Sequence, residues 1–341
     1  MKTAIIIAIV AILGILGYFL LPCNKWDKTF AHDPNVTVQK VHFKNRYGIE
    51  LTGDLYMPKN KPSGKMSAIA LSGPFGAVKE QVSGRYAQEM AKRGFVTVAF
   101  DPSYTGESGG KPRSVASPEI NTEDFSAAVD YLTTLPYVDE NKIGIIGICG
   151  FGGFGLNAAA MDTRIHGTVT ITMYDIPRVY SHGYNDSMSA DELYAQRVEL
   201  NNQRTVDAKT GKIAKSASLP NPEDITEDTP QFLKDYVAFY KTPLGYHKRS
   251  IGSNLGWNKT SDLSLMTMPI LAFSDTIKSP VLMIHGEKAH SRYFSEDAYK
   301  KLKGDNKELM IIPGANHTDL YYKMDVIPFD KIESFMRESM K

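Results

Sequence analysis

Gly147-Ile148-Cys149-Gly150-Phe151-Gly152-Gly153 is the stretch whose reading decides the fold. Lys142 to Ile146, just before it, is a short β-branched run that reads as a buried strand. Phe154 to Met161, just after it, is small and alanine-rich and reads as a helix. A strand that turns sharply into a helix with a nucleophilic side chain at the apex is a nucleophile elbow. The apex residue here is Cys149. A helix N-terminus aims N–H groups at that position and favours an anion, and the thiolate is the reactive form of cysteine. The alternative is a buried structural cysteine on a glycine-rich turn.

Outward from the turn, strand and helix patterns alternate. Val36 to Phe43 and Ile49 to Met57 read as a hairpin around Asn45-Arg46-Tyr47-Gly48. Met66 to Leu71, Phe95 to Phe100, Ile143 to Gly147, Gly167 to Met173, Val281 to Ile284 and Glu308 to Ile312 read as strands. Helices are expected over Glu80 to Arg93, Glu123 to Leu135 (capped by Asn121 or Thr122), Glu296 to Leu302 and Pro328 to Met340. A leading hairpin followed by alternating strand and helix predicts an α/β layer fold, its central sheet mostly parallel and flanked by helices on both faces. The alternation breaks between about Asp175 and Lys278. A structureless loop of that length is improbable in a compact domain, so 175–278 is expected to be a folded cap, with an aromatic helix over Phe232 to Tyr240. The expected organisation is an N-terminal segment over 1–24, a core of 35–174 and 279–341, and the cap over the strand C-termini, where it supplies a pocket or serves packing alone.

Composition bounds the function. The 341 residues are 42% hydrophobic and carry a formal net charge of +1, which gives no basic surface for nucleic acid. Cys23 and Cys149 are the only cysteines, too few for a disulfide framework, and neither has zinc-ligand spacing. No metal or organic cofactor is implied, and the oligomeric state is not legible. Ala4 to Leu21 is an uncharged apolar run long enough to cross a bilayer, with no small-residue cleavage pattern after it and Trp26 placed for an interfacial belt. The expectation is a single-pass membrane anchor with the catalytic domain outside the cytoplasm; a cleaved signal is the alternative.

Acyl transfer needs a nucleophile, a base, a group that orients the base, and oxyanion donors. His317, in Pro313-Gly314-Ala315-Asn316-His317, follows the last strand and is the candidate base. His285 ends a strand and is read as structural. The expected oxyanion donors are the backbone N–H groups of Gly150 and of Phe75, since Pro74 has none. Glu287 is the nearest carboxylate in the loop after the penultimate strand and is the candidate orienting acid; Ala289 stands where an aspartate is usual. Asp175, Glu296 and Asp297 are the other candidates.

The stretches Phe43 to Gly48, Gly73 to Gln81, Asp101 to Gly110, Gly147 to Gly150, Ala289 to Glu296 and Pro313 to His317 together resemble the dienelactone-hydrolase-related branch of the bacterial α/β-hydrolases, the YcjY-type proteins, with a more distant likeness to the X-Pro dipeptidyl-peptidase fold. The resemblance covers roughly Val36 to Tyr322. It implies an α/β-hydrolase fold and a hydrolase cleaving carboxylic ester, lactone or thioester bonds of a small-molecule substrate. The family's Cys-His-acid arrangement falls on Cys149 and His317, and its acid has no clean match. Phe151 is a second departure, because the residue two beyond the nucleophile is usually small. An X-Pro-type peptidase, which needs an acidic pocket for the amine, and a non-catalytic membrane-tethered binding protein are the alternative readings.

Overall fold

The computed structural model describes residues 26–61 and 63–341. Eight strands form one sheet: β1 (Val36–Lys44), β2 (Glu50–Pro58), β3 (Met66–Ser72), β4 (Val96–Phe100), β5 (Val138–Ile148), β6 (Gly167–Ile171), β7 (Val281–Gly286) and β8 (Lys307–Ile312). Their order is β1-β2-β4-β3-β5-β6-β7-β8. β1 and β2 pair antiparallel, as do β2 and β4, and every pairing from β4 through β3 to β8 is parallel. Asn45 makes the hairpin turn, its side-chain oxygen accepting from the N–H groups of Tyr47 and Ile49.

Successive side chains of a strand face opposite sides, and here both sides are covered. Ala68, Ala70, Ile143 and Ile145 point to one layer, built on α2 (Pro118–Thr133), α3 (Gly150–Met161) and α9 (Arg292–Lys301). Ile69, Leu71, Ile146 and Ile148 point to the other, built on α1 (Val82–Lys92) and α11 (Phe329–Ser339). The expected α/β-hydrolase architecture is the one observed. α2 starts five residues earlier than the apolar pattern suggests, because Ser117 caps it, accepting from Ile120 N–H at 3.4 Å, and Pro118 sits in its first turn.

Between β6 and β7 the chain leaves the sheet and folds into α4 (Ile176–His182), α5 (Ala190–Thr210), α6 (Gln231–Tyr240), α7 (Ile251–Asn254) and α8 (Asp262–Thr267). α5 is the longest described helix and buries only Leu200, so it carries no apolar period to read from sequence. The segment is tied to the core at several places, among them Arg178 with Asp297 (3.0 Å), Asn258 N–H with Ser114 O (2.8 Å) and the loop after β3. Gly76 O accepts from Gly252 N–H (2.9 Å) and from the Ser250 hydroxyl (2.8 Å), and Arg249 pairs with Glu80 (2.6 Å) and Asp27 (2.9 Å).

The expected membrane anchor is corrected by the structure. Among the described residues no helix is long and apolar enough to cross a membrane. The longest, α5, is studded with charged residues, and the sheet-covering helices spend their apolar faces on the core. The run Ala4 to Leu21, on which the single-pass anchor and the extracytoplasmic placement rested, lies outside the described residues. Trp26 packs edge-on against Phe30, with centroids 5.7 Å apart, and against His32 at 4.6 Å.

Lys79 is fully buried beneath the Gly76 tie. Its ammonium meets Glu80 (2.6 Å), Asp101 (3.1 Å) and Glu107 (2.6 Å), and these carboxylates drive its pKa up despite the burial. Removing one member of such a cluster leaves buried charges unpaired. Lys79→Met is expected to lower unfolding stability by about 3–5 kcal/mol in urea titrations, whereas Lys92→Met, at a more exposed pair with Glu89, costs less than about 1 kcal/mol. Equal losses would contradict this account.

Candidate active site

Cys149 sits between β5 and α3 with φ 57° and ψ −127°, a backbone conformation that non-glycine residues rarely adopt and that here stores strain at the turn. Three hydrogen bonds hold it: Cys149 N–H donates to Ile171 O (2.9 Å), and Cys149 O accepts from Gly152 N–H (2.8 Å) and Tyr174 N–H (2.9 Å). Close approach is supplied by Gly147, where a Cβ would lie 2.2 Å from Phe151 O, and by Gly152, where one would lie 2.9 Å from Met173. Phe151 therefore need not be small. Its ring turns away into the core against Phe125 (6.2 Å) and Phe154 (5.2 Å).

Cys149 is 6% exposed, at the floor of a cavity of about 460 Å³ lined by Phe75, Tyr174, Leu219, Tyr236, Trp257 and Tyr321 among others. Burial pushes its thiol pKa up. Hydrogen bonds from the Tyr321 hydroxyl and from Phe75 and Gly150 N–H oppose that rise without cancelling it. The helix N-terminus thus does not deliver a resting thiolate, as position alone suggests; desolvation outweighs it. Phe75 lies beside this turn: a Cβ on Gly150 would stand 2.8 Å from the Phe75 Cβ, and Phe75 and Cys149 line the same cavity.

His317 is 2% exposed, and no carboxylate among the described residues hydrogen-bonds it. Its Nε2 lies 2.9 Å from the Tyr321 hydroxyl. Its Nδ1 lies 2.6 Å from Ser291 Oγ and 2.9 Å from Thr172 Oγ1. Behind these stands His285, with Nε2 at 3.0 Å from Ser291 Oγ and Nδ1 at 2.7 Å from Ser295 Oγ. One tautomer set satisfies the chain: His317 Nδ1–H donates to Ser291, Ser291 O–H to His285 Nε2, and His285 Nδ1–H to Ser295. His317 Nε2 is then left as an acceptor.

The four candidate acids lie elsewhere. Glu287 is exposed and accepts from Gly314 N–H at 2.8 Å. Asp175 caps α4, accepting from Arg178 N–H at 3.1 Å. Glu296 pairs with Arg292 (3.0 Å), and Asp297 with Arg178 (3.0 Å) and Lys300 (2.8 Å). Sequence reasoning missed Ser291, Thr172 and Tyr321. Ser291 stands two residues beyond Ala289, and Tyr321 stands one helical turn after His317, the spacing that puts two side chains on one face.

The segment 47–319, most of the chain, matches the family model described as X-Pro dipeptidyl-peptidase (S15 family). The chain belongs to that family. It is similar to the uncharacterized protein PA2218 of Pseudomonas aeruginosa, 54% identical over 93% of this chain and 85% of the relative. The crystal structure of PA2218 superposes with a TM-score of 0.89, covering 93% of this chain and 98% of that one. The uncharacterized protein YcjY of Escherichia coli is 36% identical over 83% of this chain and 92% of its own, as the resemblance in the sequence anticipated. The thiohydrolase aneE of Aspergillus aculeatus is 34% identical over a shorter region, 40% of this chain and 41% of the relative. The fold and the family are those of hydrolases.

Burial holds the histidines neutral. It drives the His317 pKa well below its ordinary value, with His290 and His285 adding to the effect, and lowers His285 to about 3. A base with a depressed pKa stays unprotonated as the pH falls past the usual histidine value of about 6.5. The imidazole resonances of His285 and His317 are accordingly expected to hold their neutral shifts from pH 8 down to about 5. A midpoint near 6.5 for either would refute the buried neutral network.

Proposed function

We propose that the protein hydrolyses carboxylic esters, lactones or thioesters of apolar acyl groups, with Cys149 as nucleophile and His317 as base. The observation that carries this reading is a buried cysteine sulfur on a strained strand-to-helix turn at the floor of an aromatic cavity, with the Phe75 loop packed against the Gly150 that follows it. Sulfur attacks the carbonyl carbon, and the Phe75 and Gly150 N–H groups take the oxygen as it becomes negative. His317, kept neutral, receives the thiol proton and returns it to the leaving group, and water then cleaves the acyl-enzyme. In this reading the β6–β7 segment is the cap: Tyr236, Leu219 and Trp257 come from it, and the Phe75 ring stacks on Trp257 at 4.2 Å.

A thioester suits this site because the leaving thiol needs little protonation, and the likeness to a thiohydrolase supports the same class. Family membership raises X-Pro peptide cleavage as the competing reading. Recognition of a free amino terminus calls for a carboxylate in the pocket, and none of the described lining residues is charged. The pocket therefore favours an uncharged acyl group.

The test is an acyl series from acetyl to dodecanoyl, as p-nitrophenyl esters and as thioesters. Turnover is expected to rise with acyl length until the cavity is filled. Cys149→Ala is expected to lower kcat/KM by on the order of 10,000-fold and His317→Ala by about 100-fold or more. Wild-type turnover that survives Cys149→Ala, or turnover restricted to X-Pro amides, would overturn the reading.

A further inference from the structure

A histidine base needs its tautomer and ring plane fixed, and a carboxylate on Nδ1 is the usual means. Here Nδ1 of His317 faces two hydroxyls instead, Ser291 Oγ at 2.6 Å and Thr172 Oγ1 at 2.9 Å. Both oxygens also lie against Nε2 of His285, at 3.0 Å and 3.3 Å. We infer that Ser291 and Thr172 are positioning residues that take the place of the orienting acid, with His285 behind them setting which way the Ser291 hydroxyl donates. This deepens the proposed hydrolase reading and rests on it.

Two of these residues depart from ordinary local behaviour to stand there. Ser291 precedes α9, where a serine side chain normally accepts from the first helical N–H groups, yet its hydroxyl makes no such cap bond. Thr172 is β-branched and holds φ 45°, a conformation such residues rarely adopt. Its N–H donates to Ile284 O at 2.7 Å, so β7 pins the strained residue. His285 is clamped by one helix: Ser291 at the start of α9 takes Nε2, and Ser295, one turn on, takes Nδ1 at 2.7 Å. Ser291, Thr172, His285 and Ser295 are all fully buried. Packing alone does not call for four polar side chains there, since apolar residues of the same shape fill a buried site with no partners to satisfy.

The hydroxyls act through His317 alone. For Nε2 to accept a proton, the ring proton must sit on Nδ1 and donate to Ser291, which gives its own proton to His285 Nε2. On the other side of the ring, Tyr321 of α10 (Asp319–Tyr322) stands 2.9 Å from Nε2. The titratable rings that face His317 are Tyr174, Tyr236, Tyr321, His285 and His290, at centroid separations of 5.3–6.1 Å, and none supplies a negative charge at neutral pH. The hydroxyl pair therefore fixes the ring as a carboxylate would, without the carboxylate's pull toward the imidazolium.

The test uses the full chain with two readouts: the His317 tautomer, from long-range proton–nitrogen correlations, and the pH profiles of kcat and KM on the best ester or thioester of the series. Wild type is expected to show the Nδ1–H form of both His317 and His285, a measurement that needs no variant to fold. Ser291→Ala and Thr172→Val are each expected to lower kcat by about 5-fold with KM within about 2-fold of wild type. The double variant should lose on the order of 100-fold, more than the product of the two, because either hydroxyl alone still holds Nδ1. Ser291→Asp brings a carboxylate to Nδ1, favours the imidazolium, and is expected to move the acid limb of kcat/KM up by about 1 pH unit or more. An Nε2–H form of His317 in wild type, a double variant that keeps more than about half of kcat, or a folded Ser291→Asp whose acid limb does not move would each overturn the inference. Should wild type turn over no ester or thioester while its His317 is Nδ1–H and the double variant mixes the two tautomers, the positioning stands and the hydrolase reading falls.

Discussion

The strained backbone of Cys149 is the constraint on which the site depends. A positive φ at a side-chain-bearing residue persists only where its surroundings over-determine it. Here β5 and β6 hold the residue from one side and α3 from the other, through hydrogen bonds at 2.8–2.9 Å on both its N–H and its carbonyl. Gly147 and Gly152 let the strand and helix close to distances that a Cβ would forbid. The same turn sets Cys149 beside the Phe75 loop after β3, and both line one cavity with Tyr321, which stands on the short helix after β8. Pairing of β5 with β3, and through β6 and β7 with β8, is thus what brings three distant parts of the chain to one cavity.

Polarity in this site is handled without a buried carboxylate behind the histidine. Each ring nitrogen of His285 and His317 has a hydroxyl partner, and Ser291 bridges the two rings. Thr172 joins the set from another positive-φ position, φ 45°, directly after β6. Such a network orients the base and fixes its tautomer, while adding no charge that would stabilise an imidazolium. Cys149 and His317 are then both neutral at rest: burial keeps the thiol protonated and the imidazole unprotonated. In the proposed reaction, charge appears only as the acyl group is attacked, and the Phe75 and Gly150 N–H groups are the proposed donors to it.

Charge is instead concentrated under the Phe75 loop. Lys79 and Glu80 lie within a few residues of that loop, Asp101 and Glu107 reach Lys79 from the chain after β4, and Arg249 carries the cluster into the β6–β7 segment. Gly252 N–H and Ser250 Oγ seal the same junction onto Gly76 O. The ion cluster therefore joins the Phe75 loop to the part of the β6–β7 segment that walls the cavity.

Much was legible in local pattern. Strand runs that are apolar on both faces, the glycine-flanked Cys149 and the order nucleophile then histidine follow from periods of two and 3.6 residues and from turn chemistry, which are local properties. Glu287 was chosen for its place in a loop, but loop position does not say which way a carboxylate points, and it points to Gly314 N–H. α5 was invisible because its burial pattern has no period, and the reading of Ala4 to Leu21 as an anchor met no membrane-spanning helix among the described residues. The sequence by itself determined the layered α/β architecture, the turn and the residues at its apex and beside it, because short-range sterics and hydrophobic alternation dictate them. Only the tertiary structure decided that Ser291 and Thr172 meet His317, with His285 behind Ser291, and that the Tyr321 hydroxyl takes the other ring nitrogen. Those contacts join residues up to 145 positions apart, and no local rule reaches that far.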